Sequence, residues 1–190
     1  MAVIDSRTPG YMKPLEQSAL DLESVLIDFV SELTGLPKNR IRWAWKARPG
    51  KPISFDDDWC AIGLQKVTSA QPYRKGKKGD IEQADSGDTT QVTHQTLTVS
   101  FSFYGPNASE LSDLFRDAAQ MDQNFRYLNG KGLTLQSVSD EVQRMPDLVG
   151  NQWRDRYVLE LKLGRVVTRR YGVRTIASAG FEIYTEKGKL

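Results

Sequence analysis

Apolar residues at helical spacing mark two segments of the chain. Leucine, valine and phenylalanine recur every three or four residues after Pro14, which predicts an amphipathic helix starting at Pro14 and ending at Gly35. A second helix is predicted between Asn107 as its N-cap and Gly130 as its C-cap. Its inner stripe is predicted to comprise Leu111, Leu114, Phe115, Ala118 and Phe125.

Strict alternation of apolar and polar residues predicts strands. It is clearest within 89–105, where the inward positions are Leu97, Val99, Phe101 and Phe103 and the outward ones are Thr96, Thr98, Ser100 and Ser102. Further strands are predicted at 39–46, 59–67, 133–138, 154–170 and 173–186. The element order predicts one α+β domain over residues 1–190, with both helices packed on one face of a mainly antiparallel sheet.

Composition limits the class of protein. The chain has 190 residues, a net charge of +2 and a single cysteine, Cys60, so a basic nucleic-acid-binding surface and an internal disulfide are not indicated. The start of the sequence lacks a signal-peptide pattern, and no apolar run reaches the 18 or so residues of a membrane span. We expect a protein of a reducing cytosol, with residues 1–13 as an N-terminal arm and 185–190 as a polar tail.

One polar segment interrupts the predicted sheet. Residues 70–90, here called the assembly loop, have a basic first half and an acidic second half. Ordering one residue costs about 1 to 2 kcal/mol, and exposed ion pairs return about 0 to 1 kcal/mol, so we expect this loop to be flexible in a monomer. We predict that it contacts a neighbouring copy head to tail, the alternative being a loop without function. Its interface residues would be Tyr73, Arg74, Lys75, Lys77, Lys78, Asp80, Glu82, Asp85 and Asp88.

One motif favours catalysis. Asp147 after a proline, followed by Glu160 and Lys162 two residues apart, resembles the PD…ExK pattern of metal-dependent nucleases. An amphipathic strand with a charged outer face gives the same letters, and this structural interpretation is preferred. The triplet 56–58 is predicted to be a solvated acidic turn. We therefore predict no enzyme activity, cofactor or metal.

Several phrases resemble the neck and tail terminator family of tailed bacteriophages. They are "PLEQSALDLESVLIDFVSELTGLPKNRIRW", "WCAIGLQKV", "DRYVLELKLGRVVTRR" and, most specifically, the strand-turn-helix "FSFYGPNASELSDLFRDAAQ". The resemblance implies a subunit that assembles as a ring, usually a hexamer, caps the tail tube and joins the tail to the head connector. It implies contacts with tube, connector and sheath proteins in a virion assembled in the host cytoplasm. A neighbouring tail completion or connector protein is the alternative.

Arginines cluster near the end of the chain. They could meet acidic partner surfaces or line a lumen that DNA traverses, or they could simply be charges that protect strand edges from aggregation. The six residues are Arg154, Arg156, Arg165, Arg169, Arg170 and Arg174.

Overall fold

A computed structural model describes residues 11–18, 20–45, 53–76, 87–173, 184–185 and 188–189. The helices are α1 (Leu22–Thr34), α2 (Ala108–Ala119) and α3 (Asp122–Gly130), and Lys38–Arg40 form a short 3-10 turn. The strands are β1 (Glu16–Gln17), β2 (Ile41–Trp43), β3 (Trp59–Ser69), β4 (Tyr73–Gly76), β5 (Gly87–Tyr104), β6 (Leu133–Val138), β7 (Gln143–Arg144), β8 (Asp147–Val149), β9 (Gln152–Arg154), β10 (Arg156–Val173), β11 (Tyr184–Thr185) and β12 (Gly188–Lys189).

Hydrogen bonding arranges the main sheet in the order β1-β10-β5-β3-β2. Strand β4 also pairs with β5, and β6 and β7 pair with β10. The β2–β3 pair is parallel, while the other described registers are antiparallel. The predicted α+β class with a mainly antiparallel sheet is confirmed. Among the described residues, no helix is both long and apolar enough to cross a membrane.

The chain divides into two compact units. The first comprises Met1–Ser18, Pro72–Thr93 and Val167–Leu190, and the second comprises Ala19–Gln71 and His94–Val166. In the first unit, β4 pairs with the start of β5, and β1 pairs with the end of β10.

The predicted start of the first helix is wrong. Residues 15–18 are extended, and the backbone N–H groups of Leu15 and Ser18 donate to the carbonyls of Arg170 (2.7 Å) and Thr168 (3.0 Å). The apolar spacing does continue back to Leu15, but this edge of β10 offers unpaired backbone groups that the segment satisfies as a strand. The helix instead starts after Asp21, whose carboxylate accepts from the Ser24 N–H at 3.2 Å. Its end at Gly35, with φ +73°, is as predicted.

The second unit contains the main core. Leu97, Val99, Phe101 and Phe103 on β5 are all buried, which confirms the predicted alternation. The Phe115 ring of α2 lies 4.8 Å from the Phe101 ring and 5.8 Å from that of Phe29 on α1, centroid to centroid. Helices α1 and α2 therefore bury their apolar sides against β5.

The second predicted helix is two helices. Met121 is extended (ψ 131°), and the Ala118 carbonyl at the end of α2 accepts from the Met121 backbone N–H at 3.1 Å and from the Asn124 side-chain amide at 2.8 Å. Leu114, predicted to face inward, is 48% exposed. The predicted C-cap is also shifted, because Gly130 is the last residue of α3 and Lys131 follows as its cap.

Candidate assembly surfaces

The two ends of the assembly loop are strands, and the strand at Tyr73–Gly76 was not predicted. Tyr73 pairs with Val92, and Gly76 pairs with Thr89, in an antiparallel β4–β5 ladder. Exposed ion pairs would not order this segment by themselves, but the extension of β5 supplies a row of backbone hydrogen bonds to β4.

Strand β4 presents its side chains to solvent. Tyr73 is 43% exposed, Arg74 and Lys75 are also exposed, and the Lys75 ammonium lies 5.8 Å from the centre of the Tyr73 ring. Asp88 lies on β5. The remaining predicted interface residues, Lys77, Lys78, Asp80, Glu82 and Asp85, lie outside the described residues. The interface role of this set stays a prediction.

Arg154 and Arg156 have partners within their own unit. The Arg154 guanidinium lies 4.1 Å from the Phe55 ring centre and donates to the Ile53 carbonyl at 3.1 Å. One Arg156 nitrogen contacts both carboxylate oxygens of Asp147, at 3.1 and 3.2 Å. Both Nε atoms are buried without a hydrogen-bond partner, which shows how closely the two side chains are packed. These contacts hold β8 and β9 against the rest of the second unit.

Arg165, Arg169 and Arg170 occupy more open positions. In the second unit, Arg165 donates to Gln95 at 2.8 Å and lines a groove of about 630 Å³. In the first unit, Arg169 donates to Gln17 at 3.2 Å, and Arg170 lies 3.4 Å from Glu16 beside a groove of about 410 Å³. Arg174 lies outside the described residues. Contacts of these residues with a partner or with DNA stay predictions.

Two of the three nuclease-like residues lie on a strand, and the third is part of an ion pair. Glu160 and Lys162 alternate on β10 with Leu159, Leu161 and Leu163, which are buried. Asp147 is held by Arg156, as described above. Across the described ranges, no group of three or more His, Cys, Asp or Glu side chains is placed to hold a metal ion.

The acidic triplet before β3 is not simply a solvated turn. Asp57 pairs with Arg40 at 2.9 Å. The Asp58 carboxylate accepts from the Asn107 backbone N–H at 2.9 Å and from the Asn107 side-chain amide at 2.8 Å. Asn107 is the predicted N-cap of α2 but makes no capping bond with its own side chain. The N-terminal end of α2 is therefore fixed from outside, by Asp58.

The adjacent Tyr104-Gly105 turn depends on glycine. Gly105 has φ +111°, and a Cβ atom there would lie 2.7 Å from the Asp57 carbonyl oxygen and also collide with the Asp58 carboxylate. Tyr104 stacks on Trp59 at 4.2 Å, and burial raises the pKa of Tyr104 against the opposing effect of a hydrogen bond with Arg156. The two hydrogen bonds that Asp58 accepts from Asn107 are here called the Asp58 clamp. Together with this turn, they join β3, β5 and α2 at one corner of the second unit.

The sequence interpretation missed the hairpin of β8 and β9. Its strands are joined by the two-residue turn Gly150-Asn151, with Gly150 at φ +63°. Leu148 and Trp153 are directly opposite each other across the hairpin and are 58% and 70% exposed. The available signal was the Gly-Asn pair, which follows Leu148 and Val149 and is separated from Trp153 by one residue.

A comparison with models of protein families identifies a family that this sequence matches. The model of a family described as phage neck terminator protein matches residues 20–188. The chain belongs to the phage neck terminator protein family. It is thus a structural component of the neck of a bacteriophage virion, and membership of a structural family indicates a non-enzymatic role. The family predicted from the strand-turn-helix phrase is confirmed, and neck terminators associate with other phage head and tail proteins. A comparison with curated proteins finds no match.

Proposed function

We propose that this neck terminator assembles, in the host cytoplasm, as a closed ring of about six copies that caps the tail tube and presents a docking face to the head connector. The observation that carries the proposal is the family match over residues 20–188, which includes the Gly105 turn and the Asp58 clamp. A subunit of a ring needs two unlike side surfaces, since each copy contacts its neighbours head to tail.

The exposed side chains of β4 support a role in this contact. Arg74 and Lys75 lie on a short strand whose paired neighbour in the described part of the chain is β5. Such a strand can meet another subunit through its backbone edge and through its charges. The acidic residues of the assembly loop and the polar tail are further contact surfaces in this proposal, and the tube, sheath and connector proteins are the axial partners. Arg165, Arg169 and Arg170 contact these partners or the DNA that passes through the ring.

Native mass spectrometry tests ring formation. The purified chain is expected to give a dominant closed oligomer near six copies, weakened by high salt because exposed charges contribute to it. The double variant Arg74→Glu, Lys75→Glu is expected to shift the population to smaller species. Lys66→Glu, which changes an exposed lysine on β3, is the matched control.

Two results would contradict parts of this proposal. A monomer at every concentration and salt level, also in the presence of purified tail tubes, would refute ring assembly. If the double variant of Arg74 and Lys75 still forms the ring, ring assembly stands, but β4 is not part of the interface between subunits. Circular dichroism on each variant separates loss of assembly from loss of folding.

A further inference from the structure

Strand β1 covers one edge of β10 in the first unit. The Leu15 backbone N–H donates to the Arg170 carbonyl at 2.7 Å, and the Ser18 N–H donates to the Thr168 carbonyl at 3.0 Å. The Thr168 N–H in turn donates to the Ser18 hydroxyl at 3.0 Å. Residues 168–170, here called the β10 edge, are therefore matched to the segment that ends at Ser18.

The segment that contains β1 buries no side chain in its own subunit. All of residues 11–18 are exposed. Three of them are large and apolar, with Tyr11 93%, Met12 40% and Leu15 37% exposed. Polar contacts alone hold β1 in place, namely the backbone hydrogen bonds and contacts such as that between Glu16 and Arg170 at 3.4 Å. The burial of apolar surface, which is the main stabilising contribution in a folded chain, is missing from this pairing.

The same contacts are available from a second copy of the chain. They depend only on the residues of β1 and of the β10 edge, which are identical in every copy. Pairing within one chain and pairing between two chains therefore form the same bonds, which is the condition for the exchange of an element between identical subunits. Addition of a strand to a sheet edge is also a common way in which proteins bind extended segments.

The course of the chain after β1 permits such an exchange. The boundary between the two compact units falls directly after Ser18. Residues 19 and 20 then lead to Asp21, the N-cap of α1. Three steps along the chain span about 11 Å at most, so an exchanged β1 brings the β10 edge of the neighbour close to the N-terminal end of α1. These are two unlike surfaces, as a head-to-tail contact requires.

We propose that, in the assembled ring, β1 of each copy pairs with the β10 edge of its neighbour, in the register that it has within a single chain. The exchange places Tyr11, Met12 and Leu15 at the contact between subunits, where a neighbour can cover apolar side chains that their own subunit leaves exposed. This inference rests on the proposed ring and adds to it a strand that links its subunits.

Disulfide trapping distinguishes pairing within a chain from pairing between chains. Gln17 and Arg169 are directly opposite each other in the β1–β10 register, which places their Cα atoms about 4.5 to 5.5 Å apart, within the range of a disulfide. The double variant Gln17→Cys, Arg169→Cys is oxidised mildly after assembly and separated by denaturing, non-reducing electrophoresis. The native Cys60 is fully buried. We expect most of the disulfides to join different chains, in a ladder of covalent multimers.

A mixture of single variants identifies the linked chains. Rings assembled from Gln17→Cys and Arg169→Cys proteins together should give covalent dimers, whereas rings of either protein alone should give none. Peptide mapping should place the link between residues 17 and 169. The matched control is Lys66→Cys, Thr98→Cys, a directly opposite pair on β3 and β5, which should be linked only within one chain.

The contrary outcomes separate this inference from the ring itself. A ring with the 17–169 disulfide only within single chains overturns the exchange and leaves the ring intact. A ring with no 17–169 disulfide, in a sample where the control pair is oxidised, overturns the pairing of β1 with any β10 edge. If the reduced double variant does not assemble, Glu16→Cys, Arg170→Cys provides the next pair of the same register. A parent chain that forms no oligomer in native mass spectrometry refutes the ring and the exchange together.

Discussion

Two glycine turns of the second unit show how differently one residue type is used. Gly105 joins β5 to α2 at φ +111°, with atoms of Asp57 and Asp58 in the space that a Cβ would occupy. Gly150 joins β8 to β9 at φ +63°, and a Cβ there would meet nothing within 4 Å. The first turn belongs to a region whose apolar side chains are buried, the second to a hairpin that exposes them. We therefore expect substitutions in the strand-turn-helix to affect folding strongly and substitutions of the exposed hairpin side chains to affect it little.

The largest loss of folding stability is expected for a substitution in the buried core, at a residue that follows the Gly105 turn. Phe115→Ala should lower the free energy of unfolding by about 3 to 5 kcal/mol, since it removes a buried ring that packs on Phe101 and Phe29. Urea unfolding measures the change. The neighbouring Leu114→Ala should cost less than about 1 kcal/mol because Leu114 is half exposed. Equal losses for the two variants would contradict the described packing of α2.

The turns themselves can be compared by the same substitution. Gly105→Ala should cost about 2 to 5 kcal/mol, because backbone strain adds to overlap with Asp57 and Asp58. Gly150→Ala carries the strain without the overlap and should cost about 1 to 2 kcal/mol. Thermal and urea unfolding of both variants provide the test. A cost at Gly150 as large as at Gly105 would show that crowding is not what distinguishes the turns.

A smaller effect is expected from the clamp on α2. Asp58→Ala removes the acceptor of two hydrogen bonds from Asn107 and should cost about 1 to 2 kcal/mol. Asp56→Ala, two residues away, is the matched control and should change stability by less than about 0.5 kcal/mol. If chemical denaturation gives the same loss for both, the triplet acts only through its overall charge.

The smallest effect on folding is expected at the hairpin. Trp153→Ser should change the free energy of unfolding of the monomer by less than about 1 kcal/mol, because most of the side chain is exposed. The measurement is unfolding at a concentration below that of assembly. A large loss here would mean that Trp153 stabilises its own subunit, and the contrast between the two turns would fail.

Periodicity succeeded where the local sequence and the tertiary environment agree. The alternation of Leu97, Val99, Phe101 and Phe103 requires one buried face, and the glycine at 35 can adopt the left-handed conformation that ends a helix. It failed at Leu15, where spacing compatible with a helix lies next to an open strand edge. The prediction from periodicity also failed at Leu114, because helical spacing does not indicate which apolar side chains of a helix the neighbouring elements cover.

The predicted interface residues show the same limit. Arg154 and Arg156 belong to one arginine-rich stretch with Arg165 and Arg169 in the sequence, yet the first two are packed against Phe55 and Asp147. Contacts between residues about 100 positions apart, such as Arg154 with the Ile53 carbonyl, have no local signature. The exposure of Trp153 likewise depends on which face of the hairpin its anchors occupy.

The sequence by itself determined the α+β class, the long alternating strand, the glycine turn before α2 and, through the strand-turn-helix phrase, the family. These features depend on the order and spacing of neighbouring residues. Such spacing determines a helix, strand or turn through backbone geometry and the burial of one apolar side. Only the tertiary structure decided that residues 15–18 pair with β10, that Asp58 clamps α2 and that Leu148 and Trp153 face solvent. Each of these depends on partners distant in sequence, whose positions are fixed only when the whole sheet is assembled.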